Sequence, residues 1–351
     1  MMNRRRQTKN AEETVLIVGA FFALVILGFG GYFLYNAVIQ ERSTYSIVAI
    51  DPVTGDVGAA GASCVPISAS SLAALVPGQG AAAIQAAFIP KNQTEVFNLL
   101  SQGKTASEII GQIGNDTYDS NFEIRQYGVV TLHGGNIQAA GFTGNETPTW
   151  AGDRQDLRYA VSVQGNTLES EAVVSDALAA FSATDVGSVE LPDRLMRALE
   201  AASAAGGDRR CNNPSGFEQT AEAAFIMVAK AGQPPFTTPI GQEPSPNDPS
   251  LPWLYISVIE AKGGPNPLLD LRSRYNAWRS ENLTPCTDCN LDAIPVPPGG
   301  RPQPLTKAIL TILNRIGLRL DAILCCFAAI VVVVIGLFVI LFRRRRRTRT
   351  V

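Results

Sequence analysis

The amino-acid sequence predicts an α+β protein, two sheets with helices outside them, set between two transmembrane helices. Three observations predict it. Strand-like segments open and close the central region and helical segments fill its middle, the pattern of layered sheet and helix. The strands are dense in Ala and Gly, which allows sheets to approach closely. Residues 14–39 and 322–342 form uncharged runs of 26 and 21 residues, and about 20 apolar residues of helix cross a bilayer's hydrocarbon core.

The chain has 351 residues, is 46% hydrophobic and carries a formal net charge of -2, but its parts differ. Ten of the 29 basic residues lie in residues 1–13 and in the tail 343–351, which holds Arg343 to Arg347 and Arg349. The remainder keeps 19 basic and 29 acidic residues, net about -10, a poor surface for nucleic acid. A nucleic-acid partner is therefore excluded. Basic residues stay on the cytoplasmic side, so both termini are expected in the cytoplasm and residues 40–321 outside, in a two-pass protein of the plasma membrane that partners lipid through both spans. A small-x-small cleavage site is missing after the first run, which favours an uncleaved signal anchor. An ordinary cytosolic enzyme and a multi-span transporter are both ruled out.

Within residues 43–280, Thr44 to Ile50 reads as a β-branched strand, Asp51 to Gly55 as a turn and VGAAGAS as a second strand. AAAIQAAFI reads as a third. Residues 93–102 and 105–113 read as short helices, the second with Thr105 as N-cap and Glu108 at the capping-box position. GVVTL and IQAAGF form a hairpin across His133 to Asn136, and YAVSVQGN is a further strand. Residues 168–182 and 190–204 carry helical apolar spacing. AEAAFIMVA and WLYISVIEA return to strand, and a helix over 266–279 closes the domain. Residues 281–304 read as a Cys- and Pro-rich linker, and 305–320 as an amphipathic segment lying on the outer leaflet.

Cys325 and Cys326 fall in the second span. The exterior keeps Cys64, Cys211, Cys286 and Cys289, an even count that permits disulfides in three connectivities. A local Cys286–Cys289 bridge is expected, with a Cys64–Cys211 bridge left open. A single CxxC and a lone, distant His133 argue against a metal site, and no cofactor is expected. His133 reads as a solvated turn residue. Asn92, Asn115, Asn145 and Asn282 start N-x-T sequons.

Several motifs occur in order: TYSIVAIDPVTGDVGAAGAS, GQGAAAIQA, RQYGVV, TWAGDRQDLRYAVSVQGNTL, and AAGGDRR followed by AEAAFIMVAK. Together they resemble the domain of unknown function 1028 family over roughly residues 43–280. That family is grouped with the N-terminal nucleophile hydrolases, so the resemblance implies a four-layer αββα sandwich. It also implies an amide hydrolase acting on a small amide or peptide, in which a Thr, Ser or Cys heading the first strand attacks while its own α-amine serves as base.

The residue that matches the nucleophile is Thr44. Because 43 residues precede it, activity requires cleavage between Ser43 and Thr44. The proteasome-like branch of the superfamily places a lysine near the nucleophile, but here none occurs between Lys9 and Lys91. Candidate substrate or oxyanion contacts are Asp153 and Arg154 in WAGDR, Asp208 and Arg209 in GGDRR, and the amides Gln164 and Asn166 in VQGN. The competing reading is that the Asp and Arg residues pair with one another to fix loops. A surface binding or structural module that keeps the fold without catalysis is the alternative function.

Overall fold

A computed structural model of the chain describes residues 44–300, apart from 66–67, 148, 184–187, 213–217, 239–241, 246 and 286–291. In chain order the elements are β1 (Thr44–Ile50), β2 (Val57–Ser63), β3 (Ala73–Val76), β4 (Gly80–Gln85), α1 (Pro90–Ser101), α2 (Ala106–Ile113), β5 (Gln126–His133), β6 (Asn136–Thr143), β7 (Trp150–Asp156) and β8 (Val161–Leu168). There follow α3 (Ala172–Ser182), α4 (Leu191–Ala204), the single turn α5 (Arg209–Asn212), β9 (Ala223–Ala229), β10 (Phe236–Thr237), β11 (Leu254–Ile259) and α6 (Pro267–Asn282).

The strands form two sheets, ordered β11-β9-β2-β1-β8-β7 and β10-β3-β4-β5-β6, with every pair antiparallel. The first two strands are joined by a turn in which Asp51 accepts from the backbone N–H groups of Val53 and Thr54. Gly55 completes it at φ +77°. The capping box at Thr105 is present, with Glu108 donating its backbone N–H to the Thr105 hydroxyl and accepting from the Thr105 backbone N–H.

Alternation along β1 divides the core. Ile47 and Ala49 face helices α3 and α4, in one cluster with Val173, Phe181 and Leu195, while Leu268 of α6 joins that cluster over β9 and β11. Val48 and Ile50 point the other way and meet Leu75, Ala81 and Val130 of the second sheet. On the far face of that sheet, Ile84 and Val129 contact Val96, Leu100, Ile109 and Ile113 of α1 and α2. At about 25 cal/mol per Å² of apolar surface removed from water, these three clusters are the main source of stability. Buried ion pairs fix α6 on α4: Arg272 binds Glu200, and Asp193 accepts from Tyr275 at 2.7 Å and from Arg279 at 2.7 Å. Burial, with Asp193 alongside, raises the Tyr275 hydroxyl above its ordinary range.

The expected architecture, a four-layer αββα sandwich of N-terminal nucleophile hydrolase type set between two transmembrane helices, needs correction. The structure shows an α+β fold with two antiparallel sheets, and among the described residues no helix is long and apolar enough to cross a membrane. The longest, α6, has 16 residues and carries Arg272, Arg274 and Arg279, short of the roughly 20 apolar residues a span needs. The runs 14–39 and 322–342 lie outside the described residues, as does the amphipathic segment 305–320. Residues 292–300 lie against the domain. Glu200 accepts from the Ile294 N–H at 3.1 Å, and the Asn266 N–H donates to the Pro298 carbonyl at 3.0 Å.

Candidate functional site

The layer between the sheets changes character along its length. Where β1 ends, it is filled by Val48, Ile50 and their apolar partners. Where β1 begins, the residues in that layer are Thr44 and Ser46, and those brought to them are Ser162, Gln164 and Asn166 of β8, Gln85 of β4, and Gln126 of β5. All are buried, and buried polar atoms must find partners or cost about 1–3 kcal/mol each.

Here they find them in one another. Ser46 donates to Gln85 Oε1 at 2.7 Å. Gln85 Nε2 donates to Gln126 Oε1 at 2.7 Å and to the Thr44 carbonyl at 3.3 Å. Asn166 Nδ2 donates to the same Gln126 oxygen at 3.0 Å. The Gln126 amide nitrogen reaches the Gly165 carbonyl and Thr143 Oγ1, both at 2.9 Å. Gln164 Nε2 donates to Ser46 Oγ at 2.7 Å and to its carbonyl at 3.1 Å, while Ser162 donates to Gln164 Oε1 at 2.9 Å. At the edge, Asp153 accepts from Thr143 Oγ1 at 2.5 Å and from Gln155 Nε2 at 2.9 Å. Gly141 leaves room for this corner, since a Cβ there would stand 2.1 Å from Asp153 Oδ2.

Thr44 sits at the head of this seam. It pairs with Ser63 of β2 on one side and Asn166 of β8 on the other. It is 2% exposed, and its hydroxyl donates to Ser63 Oγ at 3.3 Å. Strained backbone clusters near it. Thr167, which follows Asn166, has φ +53°, and Ala86 and Ala87, which follow Gln85, have φ +55° and +42°. Such conformations cost on the order of 1–3 kcal/mol each and persist where the surroundings enforce them. Arg125 enforces the second pair: it donates to the Ala87 carbonyl and binds Asp119 at 2.8 Å.

The candidate contacts read from the sequence are separated by the structure. Asn166 lies directly across from Thr44, but Gln164 spends its amide nitrogen on Ser46 and is part of the buried floor. Asp153 faces the seam, whereas Arg154, its neighbour in the strand, points out to an exposed ion pair with Glu171. The two do not pair with each other. Asp208 is fully buried and accepts from the Cys64 N–H at 2.8 Å and from Arg210 Nη2 at 2.8 Å, so its partner is Arg210 and not Arg209. Cys64 follows Ser63, which places Asp208 at the same end of the sheet as Thr44. Arg209 Nε is buried with no hydrogen-bond partner among the described residues. The residues missed by sequence reading are Ser46, Ser63, Gln85, Gln126 and Thr143.

Cys64 and Cys211 form a disulfide. Cys286 and Cys289 lie outside the described residues. Among the described residues, Cys64, Cys211 and Glu222 bring potential metal-ligand atoms within 4.8 Å of one another, but the two sulfurs are joined and offer no thiolate. Asn92 is buried and held by Asp119 and Tyr127, so its sequon is closed to modification in the folded chain.

Residues 44–248 match a family described as a family of unknown function, DUF1028. The chain belongs to that family. No curated protein matches. Among solved structures, the crystal structure of a DUF1028 protein from Silicibacter pomeroyi matches at 24% identity with a TM-score of 0.48, covering 68% of this chain and 86% of that one. In this DUF1028 member the match begins at Thr44 itself, the first residue of β1.

Proposed function

We propose that this DUF1028 chain is an amide hydrolase acting on a small amide or peptide, with Thr44 as an N-terminal nucleophile. The observation that carries the reading is the position of Thr44, at the head of a central strand with its carbonyl held by Gln85 and its hydroxyl on Ser63. After cleavage of the Ser43–Thr44 bond, the new α-amine takes the proton from the Thr44 hydroxyl, and the oxygen attacks the substrate carbonyl. The protonated amine returns the proton to the leaving nitrogen, and water then hydrolyses the ester. No lysine is needed in this scheme, and the groups the structure brings to Thr44 are hydroxyls and amides. Asn166, facing Thr44 across the strand pair, is the residue we assign to the oxyanion, its amide turning from Gln126 toward the substrate. Such a donor contributes about 3–4 kcal/mol when well placed. The Cys64–Cys211 disulfide supports an oxidising, extracytoplasmic setting.

N-terminal sequencing of the purified protein, combined with a panel of chromogenic acyl and aminoacyl anilides, tests the reading. The mature chain should begin at Thr44. Thr44→Ala should abolish turnover without unfolding the domain, and Thr44→Ser should retain part of it. An intact Ser43–Thr44 bond in active protein would exclude this mechanism, and equal behaviour of all three proteins would favour a non-catalytic binding module.

A further inference from the structure

Glu222, between α5 and β9, is 4% exposed, and its Oε1 stands 3.5 Å from Cys64 Sγ and 3.8 Å from Cys211 Sγ. A disulfide sulfur carries no proton, so neither contact is a hydrogen bond while the bridge is closed. In the reduced, thiol form both sulfurs would become donors to this buried carboxyl. Burial raises the Glu222 carboxyl above the usual carboxylate range, and Asp208 adds to this, while Lys262 and Arg210 pull it down. A buried acid beside a buried disulfide is positioned for proton transfer, because an expelled thiolate out of reach of bulk water is a poor leaving group until it is protonated.

We infer that Cys64, Cys211 and Glu222 form a thiol–disulfide exchange centre whose substrate is a small thiol, with Glu222 carrying the proton. Cys64 is 8% exposed and Cys211 is fully buried, so the incoming thiolate attacks Cys64 Sγ. The Cys64–Cys211 bond breaks, Cys211 leaves with the electron pair, and Glu222 gives it a proton. A second thiolate attacks the mixed disulfide at the sulfur of the bound small thiol, the Cys64 sulfur leaves with the electron pair and takes a proton from Glu222, which solvent has reprotonated after the first step, and the external disulfide departs. The two small thiols lose two electrons and two protons, and both cysteines end as thiols once Glu222 has been reprotonated. The inference does not depend on the Thr44 reading. Its consequence reaches that site, because the bridge anchors Cys64, next to Ser63, and Ser63 accepts the Thr44 hydroxyl.

The test is the rate at which dithiothreitol reduces the folded full-length protein, followed by alkylation and mass mapping between pH 6 and 9. The native bridge should open without denaturant, and single-turnover trapping with glutathione should place the mixed disulfide on Cys64. In wild type the rise of log rate with pH should flatten where Glu222 loses its proton. Glu222→Gln should slow reduction about tenfold or more at pH 7 and remove that break. Circular dichroism confirms that the variant is folded, and the wild-type pH profile stands alone if it is not. A bridge that opens only on unfolding, a mixed disulfide on Cys211, or a variant with the wild-type rate and profile would each overturn the inference.

Discussion

Gln164 occupies the space that a side chain at residue 128 would need: a Cβ built on Gly128 would stand 1.8 Å from Gln164 Oε1 and 2.9 Å from Ser162 Oγ. The two sheets therefore approach through a glycine on one and an amide on the other. Neither residue is intelligible without its partner.

Gly128→Ala should push the Gln164 amide off Ser46 and strand its polar atoms. Overpacking and lost hydrogen bonds together set a cost of roughly 2–5 kcal/mol. Calorimetry should show a thermal midpoint lowered by several degrees, and Gly128→Ala combined with Gln164→Ala should recover part of the loss. An unchanged midpoint for the single variant contradicts the close approach.

Gln126 accepts from both Gln85 and Asn166 and donates toward Thr143 and Gly165, so Gln126→Leu leaves several buried groups unsatisfied at once. The expected destabilisation is about 2–4 kcal/mol. Denaturant unfolding measures it, and a change below about 0.5 kcal/mol would show that water or rearrangement replaces the network.

Asp119 gives a pH signature. Burial alone would raise its carboxyl, but the guanidinium of Arg125, the Asn92 amide and the Asn121 N–H outweigh this and hold it at about 2. A depressed native pKa contributes stability that is complete above the unfolded value, near 4, and is lost as pH falls toward 2. The contribution is at most about 2.5 kcal/mol. Unfolding free energies from pH 6 to 2 should show this loss in wild type and a shallower slope in Asp119→Asn.

The disulfide closes a loop with a sequence separation of 147. Replacing both cysteines, Cys64→Ala with Cys211→Ala, should cost about 3–5 kcal/mol through the freer unfolded chain. Equal stability of the double variant and the oxidised protein would mean that the native state carries offsetting strain.

The elements that announced themselves in the sequence are those whose signals are local. The Thr105/Glu108 capping box, the Gly134–Gly135 hairpin and the apolar spacing of α4 depend on residues within a few positions of one another. β7 was missed because WAGDRQD is polar on both faces: Arg154 points to solvent, while Asp153 and Gln155 face a polar interior. Strand reading assumes that the inward face is apolar. Gln85 and Gln126 were invisible for the same reason, since each sits in an apolar strand as an apparent irregularity. Thr44 stands out in the sequence only through its motif, and its setting required tertiary structure. The available signal was the recurrence of Ser, Gln and Asn at alternate positions of SVQGN beside the glycines of the facing strands.

Most chain ends fray, because terminal residues lack neighbours on one side. Thr44 cannot do so. It opens a strand flanked by β2 and β8, so its backbone is tethered from both sides, and Gln85 grips its carbonyl from the opposite sheet. A terminus created at this residue would enter the folded state with its rotational freedom already spent, and orienting its amine and hydroxyl for a bound molecule would cost little further entropy.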